Sequence, residues 1–255
     1  MTLPPTNIDW SRHALFLDFD GTLAPIVSHP DDVALTELAR LILARALVAT
    51  GGALAIVSGR GLADLKPHVP GVIPVLSGSH GAEFLGLTGE TGLAGAALLD
   101  PARAEVRAFA ELEGLLSENK AGSVSVHYRQ SPEREQAVRA LIDRLATTVG
   151  LRAIHGDMVS ELALANVSKG TALTRIMSEP SFAGRVPIMI GDDVTDEDGF
   201  RAAQLLGGHG LRIGGTSSAA DWRVADLAAM QNWLGASLGT DHAKNSSNPA
   251  SLGPI

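Results

Sequence analysis

The sequence predicts an α/β protein in which a smaller α+β domain is inserted into a core built on a parallel sheet. Short apolar runs alternate with amphipathic helical segments, as they do in βαβ proteins. This alternation stops after about residue 102 and returns at Lys169. At 255 residues the chain is also long for one compact core, which leaves room for an inserted domain.

The first half of the core is predicted to be a βαβ unit. Buried strands are expected at residues 13–18 (HALFLD) and 53–57 (ALAIV), and a polar, glycine-containing loop follows each of them. Residues 32–49, between these strands, place Leu38 and Ile42 on one apolar helical face. With a right-handed crossover, the carboxyl ends of both strands lie at one edge of the sheet, where open α/β sheets bind their ligands.

The middle of the chain follows a different order, in which a helix and two strands are followed by another helix and two strands. The alternation in SVSVHYR (123–129) is typical of a half-buried antiparallel strand. We therefore predict an inserted α+β domain at residues 103–165. The core then comprises residues 1–102 and 166–239, and residues 240–255 are expected to be a disordered polar tail.

The α/β pattern resumes after the insertion. A helix at residues 169–179 leads to the apolar strand VPIMI (186–190), and a further strand and helix run to about residue 238. Aromatic residues make up only 4% of the chain and apolar residues 45%, so the core is expected to consist mainly of Ala, Leu, Val and Ile.

Charge and composition argue against several classes of protein. The formal net charge is −8 and there is no long basic run, so neither nucleic acid nor an anionic membrane is expected as a partner. The absence of cysteine excludes disulfides and thiol chemistry. No signal peptide or apolar run of membrane-spanning length is present, so we expect a cytoplasmic protein. The sequence predicts no particular oligomeric state.

Four short motifs carry the candidate chemistry. Three of them, DFDGT (18–22), SGR (58–60) and GDDVTDE (191–197), follow predicted strands, and Lys169 begins a predicted helix. Each motif alone is weak, because acidic turns after strands and surface lysines are common. Their joint occurrence at the ends of strands and the start of a helix is what favours a functional site.

The two aspartates of the first motif suggest catalysis of phosphoryl transfer. On an extended segment, Asp18 and Asp20 point the same way and lie roughly 7 Å apart. A carboxylate can attack phosphorus directly and form an acyl phosphate, which splits hydrolysis into two easier steps. We assign the attack to Asp18 and proton transfer to the leaving oxygen and from water to Asp20.

A phosphate dianion among several carboxylates requires added positive charge. Mg²⁺ prefers oxygen ligands, and we predict that Asp18, Asp20 and Asp192 bind it. Asp193 and Asp196 are expected to support these ligands from outside.

Other residues are candidates for contact with the phosphate. The Ser58 hydroxyl and the Gly59 amide are expected to donate to its oxygens, and Arg60 is a further candidate for contact with the substrate. Lys169 adds charge at a helix N-terminus, which also favours an anion.

These residues resemble the motifs of the haloacid dehalogenase superfamily of phosphatases. Its four motifs are matched by Asp18 with Asp20, by Ser58, by Lys169, and by Asp192 with Asp196. The match spans nearly the whole core. The resemblance implies a Rossmann-like core, with the inserted domain acting as a cap over the active site.

A narrower resemblance is to trehalose-6-phosphate phosphatases. It rests on VSGR (57–60), GSHGAE (78–83), HYR (127–129), VSKG (167–170) and GDDVTDE (191–197). It implies dependence on magnesium and hydrolysis of trehalose 6-phosphate to trehalose and phosphate. A small sugar phosphate is then the partner molecule, and the cap selects the sugar.

The same resemblance implies which cap residues contact the sugar. These are Glu118, Lys120 and Glu161, with Arg129 as a further candidate. Carboxylates and ammonium groups suit a disaccharide, whose hydroxyls can both donate and accept hydrogen bonds. Polar groups left unpaired by an analogue also reject that analogue strongly.

Some nearby residues are not expected to contact the sugar. The family usually has a basic residue and a proline after the cap glutamate, whereas this chain reads ELALAN (161–166), with apolar Ala163 and Leu164. Any contact from that basic side chain is missing here. His80 and His127 are expected to be structural.

Other functions remain compatible with the motifs. A related capped phosphatase could act on another sugar phosphate, such as sucrose 6-phosphate. A phosphomutase could return the phosphate from its aspartate to a sugar. A non-catalytic sugar-phosphate sensor is the alternative outside the enzymes, although such modules tend to lose the nucleophile or the acid, and both aspartates are present here.

Overall fold

The computed structural model describes residues 1–27, 32–88, 96–215 and 217–239. The predicted tail at 240–255 lies outside the described residues. The described ranges contain seven α-helices and eleven strands. No helix in these ranges combines the length and the apolar character that crossing a membrane requires.

The larger of two sheets has seven strands, in the spatial order β11-β10-β9-β1-β2-β3-β4. All neighbouring strands are parallel except β4, which runs antiparallel to β3. Its strands are β1 (His13–Leu17), β2 (Leu54–Val57), β3 (Val75–Gly78), β4 (Glu83–Leu85), β9 (Val186–Gly191), β10 (His209–Ile213) and β11 (Trp222–Val224).

Helices cover both faces of this sheet, so its central strands bury apolar residues on both faces. The helices of the core are α1 (Glu37–Ala49), α2 (Leu62–Leu65), α5 (Lys169–Ile176), α6 (Asp196–Leu205) and α7 (Leu227–Ser237). Leu15 and Leu17 of β1 pack in one apolar cluster with residues of α1 and α7. Ala14 and Phe16 pack in the opposite cluster with residues of α5 and α6.

The smaller sheet has four antiparallel strands in the order β5-β6-β8-β7. Its elements are α3 (Leu99–Glu113), β5 (Leu116–Lys120), β6 (Ser123–His127), α4 (Glu135–Leu145), β7 (Leu151–Gly156) and β8 (Val159–Leu164). This is the order of elements that the sequence predicts. Helix α3 begins four residues before the predicted boundary at 103, and its Leu99 and Ala102 belong to the apolar cluster of this sheet.

The two faces of the smaller sheet differ in chemistry because side chains alternate along each strand. Val124, Val126 and Leu162 pack with α3 and α4 in one apolar cluster. The alternate positions carry polar groups, and strand register aligns Ser125 of β6 with Glu118 on one side and Glu161 on the other. A polar row therefore crosses the face away from the helices.

Candidate active site

Four adjacent strands of the large sheet end at one edge. In the order β9, β1, β2 and β3, they are followed by Asp192, Asp18, Ser58 and the turn that contains His80. Parallel strands direct their carboxyl ends to the same edge, so residues distant in sequence meet there. The sheet order therefore assembles the motifs into one site.

Asp18 lies in a buried ion pair with Lys169, the first residue of α5. The Lys169 Nζ is 2.8 Å from Asp18 Oδ1 and 2.7 Å from Asp196 Oδ1. Ser168 caps the helix by accepting a hydrogen bond from the Thr171 amide at 3.1 Å, which fixes where α5 begins. Burial alone would lower the pKa of Lys169, but Asp18 and Asp196 outweigh it and raise that pKa above its usual range.

Asp196 lies closer to Asp18 than the sequence indicates. Its side chain is buried, and its Oδ2 accepts hydrogen bonds from the amides of Asp192 and Asp193 at 3.0 and 2.9 Å. Asp196 therefore holds the loop after β9 in place as well as pairing with Lys169. Asp193 is exposed, and the contacts that place it in this loop come from its backbone.

Three carboxylates form a group that could hold a metal ion. Within the described ranges, oxygens of Asp18, Asp192 and Asp196 lie within 4.8 Å of one another. Burial, followed by the charge of Asp196, raises the pKa of Asp18 well above its usual range and that of Asp192 to about 6, although Lys169 opposes both effects. A divalent cation would relieve this repulsion, and a set of oxygen donors suits Mg²⁺. The residues therefore fit the ion.

Asp20 stands apart from this group. Arg60 donates to both of its carboxylate oxygens, from Nε at 2.7 Å and from Nη2 at 2.9 Å. Arg60 also donates to Asp64 at 3.1 Å and lies over the Phe19 ring. The structure thus brings the predicted acid and the predicted substrate-binding arginine together, and it does not bring the Asp20 carboxylate to the carboxylates of the proposed metal ligands.

Ser58 and Gly59 lie at the end of β2 with their backbone fixed by neighbouring loops. The Ser58 amide donates to Ser77 O at 2.9 Å, and the Ser58 hydroxyl accepts from the Arg60 amide at 3.1 Å. Its hydroxyl hydrogen remains available to an incoming oxygen. A side chain at Gly59 would lie 2.5 Å from His80 Cε1, so only glycine leaves room for that ring.

The sugar-contacting residues expected in the cap do meet on its polar face. Lys120 Nζ is 3.7 Å from Glu118 Oε2 and 4.0 Å from Glu161 Oε2. Burial alone would raise the pKa of Glu161, but the nearby His80, followed by the charge of Lys120, lowers it to about 2. Glu161 is therefore a buried anion in a group of polar side chains.

The other cap residues considered from the sequence lie outside this group of polar side chains. Arg129 follows the end of β6 and forms an exposed pair with Asp157 at 3.0 Å, so the structure does not join it to the row of Glu118 and Glu161. Ala163 and Leu164 are both buried, and Leu164 packs in the apolar cluster of the smaller sheet.

Two histidines expected to be structural contact the predicted sugar-contacting acids instead. His127 Nε2 is 3.2 Å from Glu118 Oε2, and His80 Nε2 is 3.6 Å from Glu161 Oε1. The place of His80 at this edge could have been predicted, because His80 lies just after the short run VLSG (75–78). This run forms β3, the next strand along the sheet edge. A proline stands just before this run, and because proline is rare in central strands, the sequence does not predict β3.

Comparison with known proteins identifies the family of this chain. A family model described as trehalose-phosphatase matches residues 16–223. The chain is 35% identical over 228 residues to the trehalose-6-phosphate phosphatase of Escherichia coli (strain K12), covering 88% of this chain and 86% of that protein. It is 39% identical over 218 residues to a probable trehalose-phosphate phosphatase of Sinorhizobium fredii, covering 83% and 82%.

Solved structures support the same fold. The C-terminal domain of the C. albicans trehalose-6-phosphate phosphatase superposes with a TM-score of 0.74 at 20% identity, over 90% of this chain and 92% of that chain. The predicted α/β core with an inserted α+β domain is thereby confirmed as the fold class. Because the family model spans most of the chain, the chain belongs to the trehalose-phosphatase family, whose members are phosphoric monoester hydrolases.

Proposed function

We propose that the chain hydrolyses trehalose 6-phosphate to trehalose and phosphate, and that the phosphate passes through a covalent bond to Asp18. The observation that carries the proposal is the buried pair of Asp18 and Lys169 at the sheet edge, in a chain of the trehalose-phosphatase family. The ammonium group holds the attacking carboxylate in one orientation and offers charge to the phosphoryl oxygens.

We assign the steps of the reaction to Asp18 and Asp20. Asp18 Oδ attacks phosphorus and the bond to the sugar oxygen breaks, while Asp20 protonates that oxygen. Asp20 then takes a proton from the water that attacks the acyl phosphate, which restores Asp18 and releases phosphate. To act as the acid, Asp20 must carry a proton before the attack, taken from solvent in the first turnover and from the attacking water in later ones. Since Arg60 donates to both of its oxygens, at least one of these hydrogen bonds must break before the substrate reacts.

We propose Mg²⁺ as the metal, held by Asp18 and Asp192 with Asp196 beside them. When bound, it neutralises carboxylate charge and polarises the phosphoryl group. Ser58 and Gly59 are proposed to donate to phosphoryl oxygens. A contribution from Asp20 to the metal is a proposal that would depend on its backbone, because its carboxylate is paired with Arg60.

We propose that residues 99–165 act as the cap, with Glu118, Lys120 and Glu161 reading sugar hydroxyls. Arg129 is kept as a candidate at the rim. We also propose that the enzyme works in the cytoplasm. Its substrate is an anion that does not cross membranes unaided, so the substrate must be supplied on the same side of the membrane as the enzyme.

A panel of sugar phosphates tests this function. Phosphate release is measured with magnesium for trehalose 6-phosphate, sucrose 6-phosphate, glucose 6-phosphate and p-nitrophenyl phosphate. The proposal predicts the highest kcat/KM for trehalose 6-phosphate. Equal values across the panel would refute the assigned substrate, and binding without phosphate release would indicate a sensor.

A further inference from the structure

The turn at residues 78–82 (GSHGA) contacts the loop after β2, the start of α5 and the cap. A side chain at Gly81 would lie 2.7 Å from Ser168 O, so this turn packs against the start of the helix that carries Lys169. On the other side, a side chain at Gly122 would lie 2.7 Å from Ala82 Cβ, so the same turn packs against the β5–β6 connection of the cap. Core and cap therefore meet at this turn.

The backbone of this turn is held in an uncommon conformation. Ser79 and His80 have φ angles of 48° and 57°, which side chains other than glycine rarely adopt. Hydrogen bonds from the Ser79 amide to Arg60 O at 2.7 Å and from the His80 amide to Ser58 O at 2.9 Å hold it there. Strain of this kind persists where the surroundings fix it, and here those surroundings are the phosphate-binding loop.

This backbone directs the His80 ring between Gly59 and Glu161. The ring packs on the bare α-carbon of Gly59, and its Nε2 lies 3.6 Å from Glu161 Oε1. Its Nδ1 is buried and has no hydrogen-bond partner among the described residues. A purely structural histidine would normally pair its buried nitrogen, so packing alone does not explain this side chain.

Lys120 cannot replace His80 in this position. Both Lys120 and Glu161 belong to the same sheet of the cap, so their contact fixes Glu161 only within that sheet. His80 belongs to the core and follows the strand next to the one that ends at Ser58. It therefore links the cap acid to the loop that is proposed to hold the phosphate.

We propose that His80 is a positioning residue that fixes the Glu161 carboxylate relative to the phosphate-binding loop and thereby determines selectivity for the sugar of the substrate. The proposal rests on the proposed function in taking the substrate to be a sugar phosphate. It assigns His80 no bond-breaking step, because its effect on the sugar passes through Glu161.

The test measures selectivity as the kcat/KM for trehalose 6-phosphate divided by that for p-nitrophenyl phosphate, which has no sugar. His80→Asn tolerates the backbone conformation but is too short to reach Glu161. It should lower this ratio about tenfold, which lies within the range of coupling between two residues in contact. His80→Gln places its amide near the original Nε2 and should restore most of the ratio. His155→Asn removes a cap histidine that contacts Asp143 at 3.0 Å and Ser160 at 2.9 Å. Since Ser160 and Glu161 point to opposite faces of β8, this variant should leave the ratio unchanged.

A double-mutant cycle separates positioning from a general structural role. If His80 acts through Glu161, His80→Asn changes the ratio by less than about twofold in a Glu161→Gln background. Equal loss on both substrates, an undiminished effect in that background, or no recovery with His80→Gln would each overturn the proposal. If the wild type prefers another sugar phosphate, the assigned substrate is wrong, and the same cycle on the preferred substrate still decides the role of His80.

Discussion

The Lys169 ammonium and the Asp18 carboxylate form a 2.8 Å ion pair in which the side chains are only 2% and 6% exposed. Taking both charges out of water is costly, and the contact with Asp196 offsets part of that cost. Such an arrangement is weak evidence for stability but fits a site where a carboxylate must remain oriented. It connects Asp18, which directly follows β1, with the start of α5 and, through Asp196, with the loop after β9.

Replacing Lys169 by Met should damage both stability and catalysis. The variant leaves two buried carboxylates without their cation, so we expect the free energy of unfolding to fall by about 3 kcal/mol. Urea unfolding measures this loss, and phosphate release should fall in parallel. Lys66→Met, at an exposed position, serves as the control. Unchanged stability of Lys169→Met would show that the pair is not buried as described.

Gly21→Ala tests the proposed metal site. Gly21 has a φ of 75°, and a side chain there would lie 2.1 Å from Asp192 Oδ2. We expect Asp192 to be displaced, so that more magnesium is needed for half-maximal activity. Gly52→Ala is the matched control, because its φ is 90° but it has no neighbour within 4 Å. Equal magnesium requirements in the two variants would argue against Asp192 as a ligand.

Asp20→Asn should affect substrates according to their leaving groups. A sugar alkoxide needs a proton as it leaves, whereas p-nitrophenolate does not. We therefore expect formation of the acyl phosphate from trehalose 6-phosphate to slow by at least about 100-fold, and that from p-nitrophenyl phosphate to slow far less. Single-turnover kinetics resolve this step. A uniform decrease would contradict the assignment of Asp20 as the acid.

Glu161 should make stability depend on pH below its unfolded pKa. Because its folded pKa is lowered to about 2, its stabilisation is fully present above pH 4.5 and is lost as the pH falls through 2. The shift corresponds to about 3 kcal/mol at neutral pH. Urea unfolding should show the gap between wild type and Glu161→Gln narrowing from pH 6 to pH 3. Exposed Glu133→Gln is the control, and a constant gap would contradict the prediction.

The order of elements could be predicted from sequence because apolar runs and amphipathic segments report burial locally. The burial of individual helix positions is harder to predict. Ile42 is buried as its sequence pattern predicts, whereas Leu38 is 47% exposed, because Ala39 and Leu43 complete the buried face instead of Leu38. The buried face of this helix contains small alanines, so the positions of the larger apolar residues alone do not predict which face is buried.

The motifs of the site could be predicted because each follows a strand or begins a helix. Its pairings could not, because they join residues far apart in sequence. The bidentate contact between Asp20 and Arg60 and the contact between His80 and Glu161 depend on strand order and on how the cap meets the core. A local sequence pattern predicts neither the order of the strands nor the contact between the cap and the core.

Direct detection of phosphate on Asp18 tests the central claim. Asp20→Asn protein is mixed with p-nitrophenyl phosphate and magnesium and quenched in acid, and its peptides are analysed by mass spectrometry. Without the base that activates water, the acyl phosphate should accumulate, so we expect phosphate on the peptide containing Asp18 and none in an Asp18→Asn control. Release of p-nitrophenol and inorganic phosphate with no phosphate on that peptide at any quench time would contradict it.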